Sequence, residues 1–197
     1  MNRYFLVYKP FQVLSQFSAS GDKKTLKDLF KVPSTLYPVG RLDYDSEGLL
    51  ILTDDNFIKH RLTDPSFEHE KEYFVQVEGL VSQEAISQLQ NGVTISIDGK
   101  AYHTKPAKAK IISEPLLPER NPPIRFRKNI PTSWISLAIS EGKNRQVRRM
   151  TAATSYPTLR LVRFRIGRLT IEGMQPGDMA EISRNELYKS LGYSISS

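Results

Sequence analysis

The residues best suited to chemistry fall in two clusters. In the first, Gly40-Arg41-Leu42-Asp43-Tyr44-Asp45-Ser46-Glu47-Gly48 runs directly into the apolar stretch Leu49-Leu50-Ile51-Leu52. A polar loop bounded by glycines and fixed to a buried strand is a common place to hold a reactive side chain. The acids raise two metal readings. Asp43, Asp45, Glu47, Gly48 and Asp54 match five positions of a calcium-loop template. However, Ile51 stands where a ligand is needed, the bidentate Glu is missing, and the run 49–52 reads as a strand. A two-metal carboxylate site has acids enough but no nearby histidine, and the same acids suit a turn. No metal site is expected, and Asp45 and Glu47 are read as N-capping or solvated turn residues. A metal-dependent nuclease using Asp43, Asp45 and Asp54 is a further functional reading, and insensitivity of activity to EDTA would count against it.

The second cluster is Glu141-Gly142-Lys143-Asn144-Arg145-Gln146-Val147-Arg148-Arg149-Met150. Asn144 is placed to cap a helix running from 145 to about 154, ended before Pro157. At helical spacing Arg145, Arg148 and Arg149 share a face with Ala152, while Val147, Met150 and Thr154 point the other way, toward a core. Three guanidinium groups beside a helix N-terminus form an anion site, because free N–H groups and the helix dipole act in the same sense. One of these arginines could instead pair with a buried carboxylate. His60, His69 and His103 show no metal-ligand spacing, and no phosphate-loop, dinucleotide or serine-hydrolase motif occurs.

Charge separates the chain into regions. The 197 residues carry 28 Lys+Arg against 21 Asp+Glu, net +7. Residues 120–170 hold 12 Lys/Arg, ten of them Arg, and the single acid Glu141, a net of +11. Residues 43–84 are acidic, at −8. Arginine enrichment of this kind is the electrostatic footprint of a nucleic-acid partner. The absence of cysteine excludes a disulfide scaffold, a thiolate metal site and a cysteine nucleophile. The apolar runs are too short for a membrane span or a signal peptide, so a cytoplasmic protein that makes no membrane contact is expected.

Several elements must position these clusters. Strands are expected over 3–8, 48–53, 72–78, 93–97, 134–139 and 159–166. Helices are expected over 24–30, from a cap at Asp54 or Asp55 to Leu62, from Ser82 to Leu89, and over 184–191. Five prolines between 113 and 131 exclude a regular element there. Strands and helices mix without a βαβ rhythm, which predicts an α+β fold with a largely antiparallel sheet.

The motifs, in this order, resemble the RsuA class of pseudouridine synthases. Residues 40–50 match its Gly-Arg-Leu-Asp and Asp-Ser-x-Gly-Leu-Leu pattern, and Lys71-Glu72-Tyr73 matches its Lys-x-Tyr strand. Residues 145–150 match its Arg-Gln-Val-Arg-Arg-Met helix, and Leu161, Arg163, Ile166 and Gly167 match its Leu-x-Arg-x-x-Ile-Gly segment. Ser155 departs from the family, where glycine is usual near the helix end. The pattern begins near Tyr4, so the S4-type RNA-binding domain that precedes it in many members is not expected.

The resemblance implies a pseudouridine-synthase α+β fold, a single catalytic domain over 1–197 in two, possibly discontinuous, halves with a cleft between them. It implies isomerisation of one uridine in ribosomal RNA, the 23S rRNA by likeness, by a monomer using neither cofactor nor metal. Asp43 is then the essential carboxylate, acting at C1′, at C6 or on the 2′ proton. Arg148 would pair with it, Tyr73 would stack on the extruded uracil and relay a proton, and Leu161 would pack against the base. Arg41, Lys143, Arg145, Arg149 and Arg163 would contact RNA. The reading of a different class is a non-catalytic RNA-binding or ribosome-assembly factor on the same fold.

Overall fold

The structure, a computed structural model, describes residues 2–124 and 130–193, so Arg125, Arg127 and Lys128 of the basic window lie outside the described residues. In chain order the elements are β1 (Tyr4–Lys9), β2 (Tyr37–Val39), β3 (Glu47–Thr53), α1 (Asn56–Thr63), β4 (Lys71–Glu78), α2 (Gln83–Asn91), β5 (Thr94–Ile97) and β6 (Lys100–His103). There follow β7 (Lys108–Ile112), β8 (Thr132–Ile139), α3 (Gln146–Ala153), β9 (Thr158–Ile166), β10 (Leu169–Thr170), β11 (Met179–Glu181) and α4 (Arg184–Ser190). The chain divides into two compact units, Met1–His69 with Arg163–Ser197, and Glu70–Val162. This is the α+β architecture expected, and every strand pair described below is antiparallel.

In the first unit β1 lies between β11 and β3. It pairs with β11 on one side (Phe5↔Glu181) and with β3 on the other (Leu6↔Ile51). All seven residues of β3 are buried, which is why its sequence is a continuous apolar run rather than an alternating one. Phe5, Val7, Leu50 and Leu52 pack with Val13, Leu26, Phe30 and Leu36 into one core. Each such side chain stabilises the fold by about 1.5–3 kcal/mol on full burial.

The helix expected over 24–30 is only a 3-10 turn, Leu26–Asp28. Tertiary pairing explains the difference. Lys24 C=O accepts from Leu14 N–H at 2.9 Å, and Leu26 N–H donates to Gln16 C=O at 2.9 Å. In an α-helix over 24–30 the Lys24 carbonyl would accept from Asp28 N–H; here it serves Leu14, and Asp28 N–H donates to Thr25 C=O at 3.2 Å, the tighter 3-10 spacing. Asp28 closes the turn instead, accepting from Thr25 N–H at 2.7 Å and Thr25 Oγ1 at 3.0 Å.

Of the two acids that could start α1, Asp55 does so. One oxygen accepts from Phe57 N–H and Ile58 N–H, at 2.9 and 3.3 Å. The other accepts from the Tyr4 and Tyr188 hydroxyls, at 2.6 and 3.1 Å. Burial alone would raise this carboxyl, but the hydrogen bonds, that of Tyr4 foremost, outweigh it and hold it below the usual carboxylate range. Its stabilising contribution is therefore present above about pH 4 and is lost as pH falls through the depressed value. Asp55→Ala is expected to cost about 2 kcal/mol at neutral pH, from the lost cap and two orphaned hydroxyls. Denaturation at pH 7 and pH 3 should show the difference from wild type shrinking on acidification.

In the second unit β8 lies between β4 and β7, with Tyr73↔Leu137 and Ile111↔Ile135 in register. The alternation of β4 is as expected: Tyr73, Val75 and Val77 are buried. Ser82 caps α2 through Ala85 N–H at 3.2 Å. Asp98 and Gly99, with φ of 49° and 78°, make the tight turn joining β5 to β6. The described part of 113–131 carries no regular element, and Arg160 Nη2 fixes it by donating to Pro118 C=O at 2.8 Å. Among the described residues no helix is long and apolar enough to cross a membrane.

Candidate active site

The Asp43 loop is built entirely within the first unit. Asp43 itself is half-buried, Arg41 is exposed, and Leu42 is buried as the loop's anchor. Ser46 N–H donates to Asp43 C=O at 3.1 Å, closing a turn that delivers the chain into β3. Tyr44 is half-buried, with the Lys23 ammonium 5.1 Å from its ring centroid. Glu47, expected in solvent, is the first residue of β3 and buried.

Lys9, which sequence reasoning had only as a strand end, lies fully buried in the electrostatic field of this loop. Its amino group donates to Pro10 C=O at 2.9 Å and Val13 C=O at 2.7 Å. Burial pushes it down from an ordinary 10.5 to about 7; Glu47, Asp43 and Asp45 act upward against this, and Arg163 adds to the depression. A lysine closing an otherwise apolar strand, followed by Pro10, was the available signal. Between about pH 7 and its unfolded value the unfolded chain binds the extra proton, so stability rises with pH across that window. Chemical denaturation at pH 7, 8 and 9 should show this rise, and Lys9→Met should flatten it.

Arg163 corrects an expectation. It was read as an RNA-backbone contact, yet it is 4% exposed. Its Nε donates to Leu49 C=O at 2.8 Å, and its main chain passes directly over Gly48. The Leu49 carbonyl satisfies the guanidinium only in part, because Nη2 is buried with no hydrogen-bond partner among the described residues. Here it belongs to the interior of the first unit, close enough to Lys9 to depress it.

The second unit carries the remaining candidates. Tyr73 is buried on β4 and Leu161 is buried on β9. Val147, Met150 and Thr154 face inward from α3, as their spacing requires, and Arg148 and Arg149 are half-buried. Arg148 Nη1 donates to Thr158 C=O at 3.5 Å.

The start of α3 differs from the expected cap. Arg145, not Asn144, holds the cap position, in the left-handed region with φ 50°, so it stands outside the helix and exposed. The turn is stabilised from within. Lys143 N–H donates to Gln146 Oε1 at 2.9 Å, and Gln146 Nε2 donates to Glu141. Glu141 is 5% exposed and also accepts from Lys105 N–H at 2.9 Å and from the Tyr102 hydroxyl. This carboxylate ties α3 to β6, a role signalled by its being the one acid in the basic window.

Arg149 also meets protein groups. Its guanidinium, expected on RNA, donates to Asn144 C=O at 3.1 Å, to Asn144 Oδ1 at 3.3 Å and to Ser96 C=O. It joins α3 to the β5–β6 hairpin. Lys143 and Arg145 are exposed; the Lys143 ammonium lies 5.0 Å from the Tyr102 ring centroid. Ser155 takes the left-handed conformation that its position after the helix requires, with φ 70°. Tyr156 N–H to Thr151 C=O at 2.9 Å and Ser155 N–H to Ala152 C=O at 3.0 Å complete the stop.

Comparison with known proteins places this arrangement. The RNA pseudouridylate synthase family model matches residues 3–153. A Vibrio parahaemolyticus protein named ribosomal large subunit pseudouridine synthase E is 47% identical over 182 residues, 92% of this chain and 74% of its own. A protein of the same name from Xanthomonas axonopodis pv. citri is 49% identical over 174 residues, 87% of this chain and 89% of its own. A solved structure described as a pseudouridylate synthase superposes with a TM-score of 0.78 at 30% identity, covering 96% of this chain and 74% of that one.

Proposed function

The chain belongs to the RNA pseudouridylate synthase family, and from that membership we propose that it isomerises one uridine of ribosomal RNA, in the 23S rRNA, to pseudouridine. The observation that carries the substrate is the 47–49% identity to relatives named ribosomal large subunit pseudouridine synthase E, spanning most of both chains. The reaction breaks the N1–C1′ bond, turns the base and joins C5 to C1′; the C5 proton leaves and N1 gains one. Asp43 supplies the carboxylate that starts it, at C1′, at C6 or on the 2′ proton. Arg148 is the arginine that keeps this carboxylate ionised and oriented. Tyr73 stacks on the extruded uracil and relays the C5 proton, and Leu161 packs against the base.

Arg41, Lys143 and Arg145, all exposed, contact the RNA backbone. Extruding a stacked nucleotide costs a few kcal/mol, which these contacts and the stack on Tyr73 offset. No cofactor or metal takes part, and the protein acts as a monomer in the cytoplasm during ribosome assembly. Carbodiimide mapping of rRNA from cells lacking the gene tests this. One 23S pseudouridine should be missing, and an unchanged modification pattern would overturn the assignment.

A further inference from the structure

A short segment after β1 grips the Asp43 loop from behind. The Ser15 hydroxyl accepts from Leu42 N–H at 3.0 Å and donates to Leu42 C=O at 2.9 Å. That carbonyl belongs to the peptide bond leading into Asp43, so one side chain fixes the planes of both peptides around Leu42. On the other side of Asp43, Gln12 N–H donates to Tyr44 C=O at 2.8 Å, with Gln12 itself in the left-handed region at φ 57°.

The gripping segment is itself immobilised. The Lys9 amino group donates to Val13 C=O at 2.7 Å, and Val13 is buried in the unit's core with Leu26 and Leu36. Leu14 N–H donates to Lys24 C=O at 2.9 Å, and Gln16 C=O accepts from Leu26 N–H at 2.9 Å. Ser15 is 4% exposed and Leu42 6%. The Asp43 main chain is thus clamped on both sides to one fixed scaffold.

We propose that Ser15 is a positioning residue for the reaction: its paired hydrogen bonds with Leu42 set the direction from which the Asp43 carboxylate meets the uridine. The proposal rests on the reading of Asp43 as the catalytic carboxylate. A fixed angle matters because catalysis tolerates little displacement of a reacting group. Binding of RNA, held by phosphate contacts elsewhere, does not depend on that angle.

Tritium release from a [5-³H]uridine-labelled 23S rRNA transcript tests it, run on wild type, Ser15→Ala, Ser15→Thr and Asp43→Asn, each with a melting curve. Ser15→Ala should lower kcat on the order of 10- to 100-fold with KM unchanged. Ser15→Thr, which restores the hydroxyl, should recover most of that loss. If Ser15→Ala keeps kcat within twofold, or loses activity through KM, or if Ser15→Thr is no better, the proposal fails. Should Ser15→Ala unfold at the assay temperature, the comparison passes to Ser15→Thr and Ser15→Gly under the same criteria. Activity surviving in Asp43→Asn would instead overturn the underlying reading of the site, so the two failures are distinct.

Discussion

Asp43→Asn should abolish pseudouridine formation, lowering the rate on the order of 10⁴-fold or more, as removal of an essential reacting group does. The substitution keeps the size and shape of the side chain and removes the negative charge. Asparagine is a far poorer nucleophile or base than a carboxylate, whichever of the three openings the reaction takes. The fold should tolerate it. The loop is held by main-chain bonds, Ser46 N–H to Asp43 C=O and Gln12 N–H to Tyr44 C=O, and by the Ser15 clamp on Leu42. None of these uses the Asp43 side chain. Affinity for rRNA should stay within about threefold, because phosphate contacts supply most of it. Filter binding and tritium release on the same preparations separate the two properties. A variant that retains a tenth of wild-type activity would remove Asp43 from its role.

The largest effect on folding is expected at Gly48. Its φ is +111°, where an L side chain is strained, and an added Cβ would lie 2.3, 2.6 and 2.9 Å from the main-chain O, N and C of Arg163. Those atoms belong to β9 and cannot swing aside as a side-chain tip would. Positive φ costs a residue with a Cβ about 1–2 kcal/mol, and overpacking a rigid interior adds about 1–3 kcal/mol. Gly48→Ala should therefore lose about 4 kcal/mol, a fall in Tm on the order of 10 °C for a chain of this size. Gly40 offers the control. Its φ is also positive, at +73°, but a Cβ there meets only Thr63 Cγ2 at 3.9 Å. Gly40→Ala should show the conformational cost alone. Equal melting of the two variants would mean that the close approach of β9 to Gly48 is not a constraint.

Much of this architecture is legible in the residues. The apolar run 49–52 is β3 because both faces of that strand are covered, and alternation at 73–77 reports a strand with one buried face. Ser82, Gly92 and Asp98-Gly99 act through local geometry and perform where they stand. The Asp43 loop is recognisable because its motif is local as well. What was not legible depended on distant partners. Residues 24–30 carry a helical pattern, but the Lys24 carbonyl is claimed by Leu14 N–H. The β7 sequence Lys-Ala-Lys-Ile-Ile carries too much charge to read as a strand until β8 is seen to pair with it. Arginine count implied a continuous RNA surface, yet Arg160 and Arg163 are inside and Arg149 is bound to protein carbonyls. Composition cannot tell whether a guanidinium meets phosphate or a carbonyl brought from 114 residues away, as Leu49 is for Arg163.

This chain, unaided, should make pseudouridine in ribosomal RNA. The most direct test is tritium release by the purified protein from [5-³H]uridine-labelled 23S rRNA, in the presence of EDTA and with no added cofactor. Release should reach one tritium per RNA and stop, with one new carbodiimide-reactive position. Binding to the RNA without any release would contradict this and favour a non-catalytic assembly factor on the same fold.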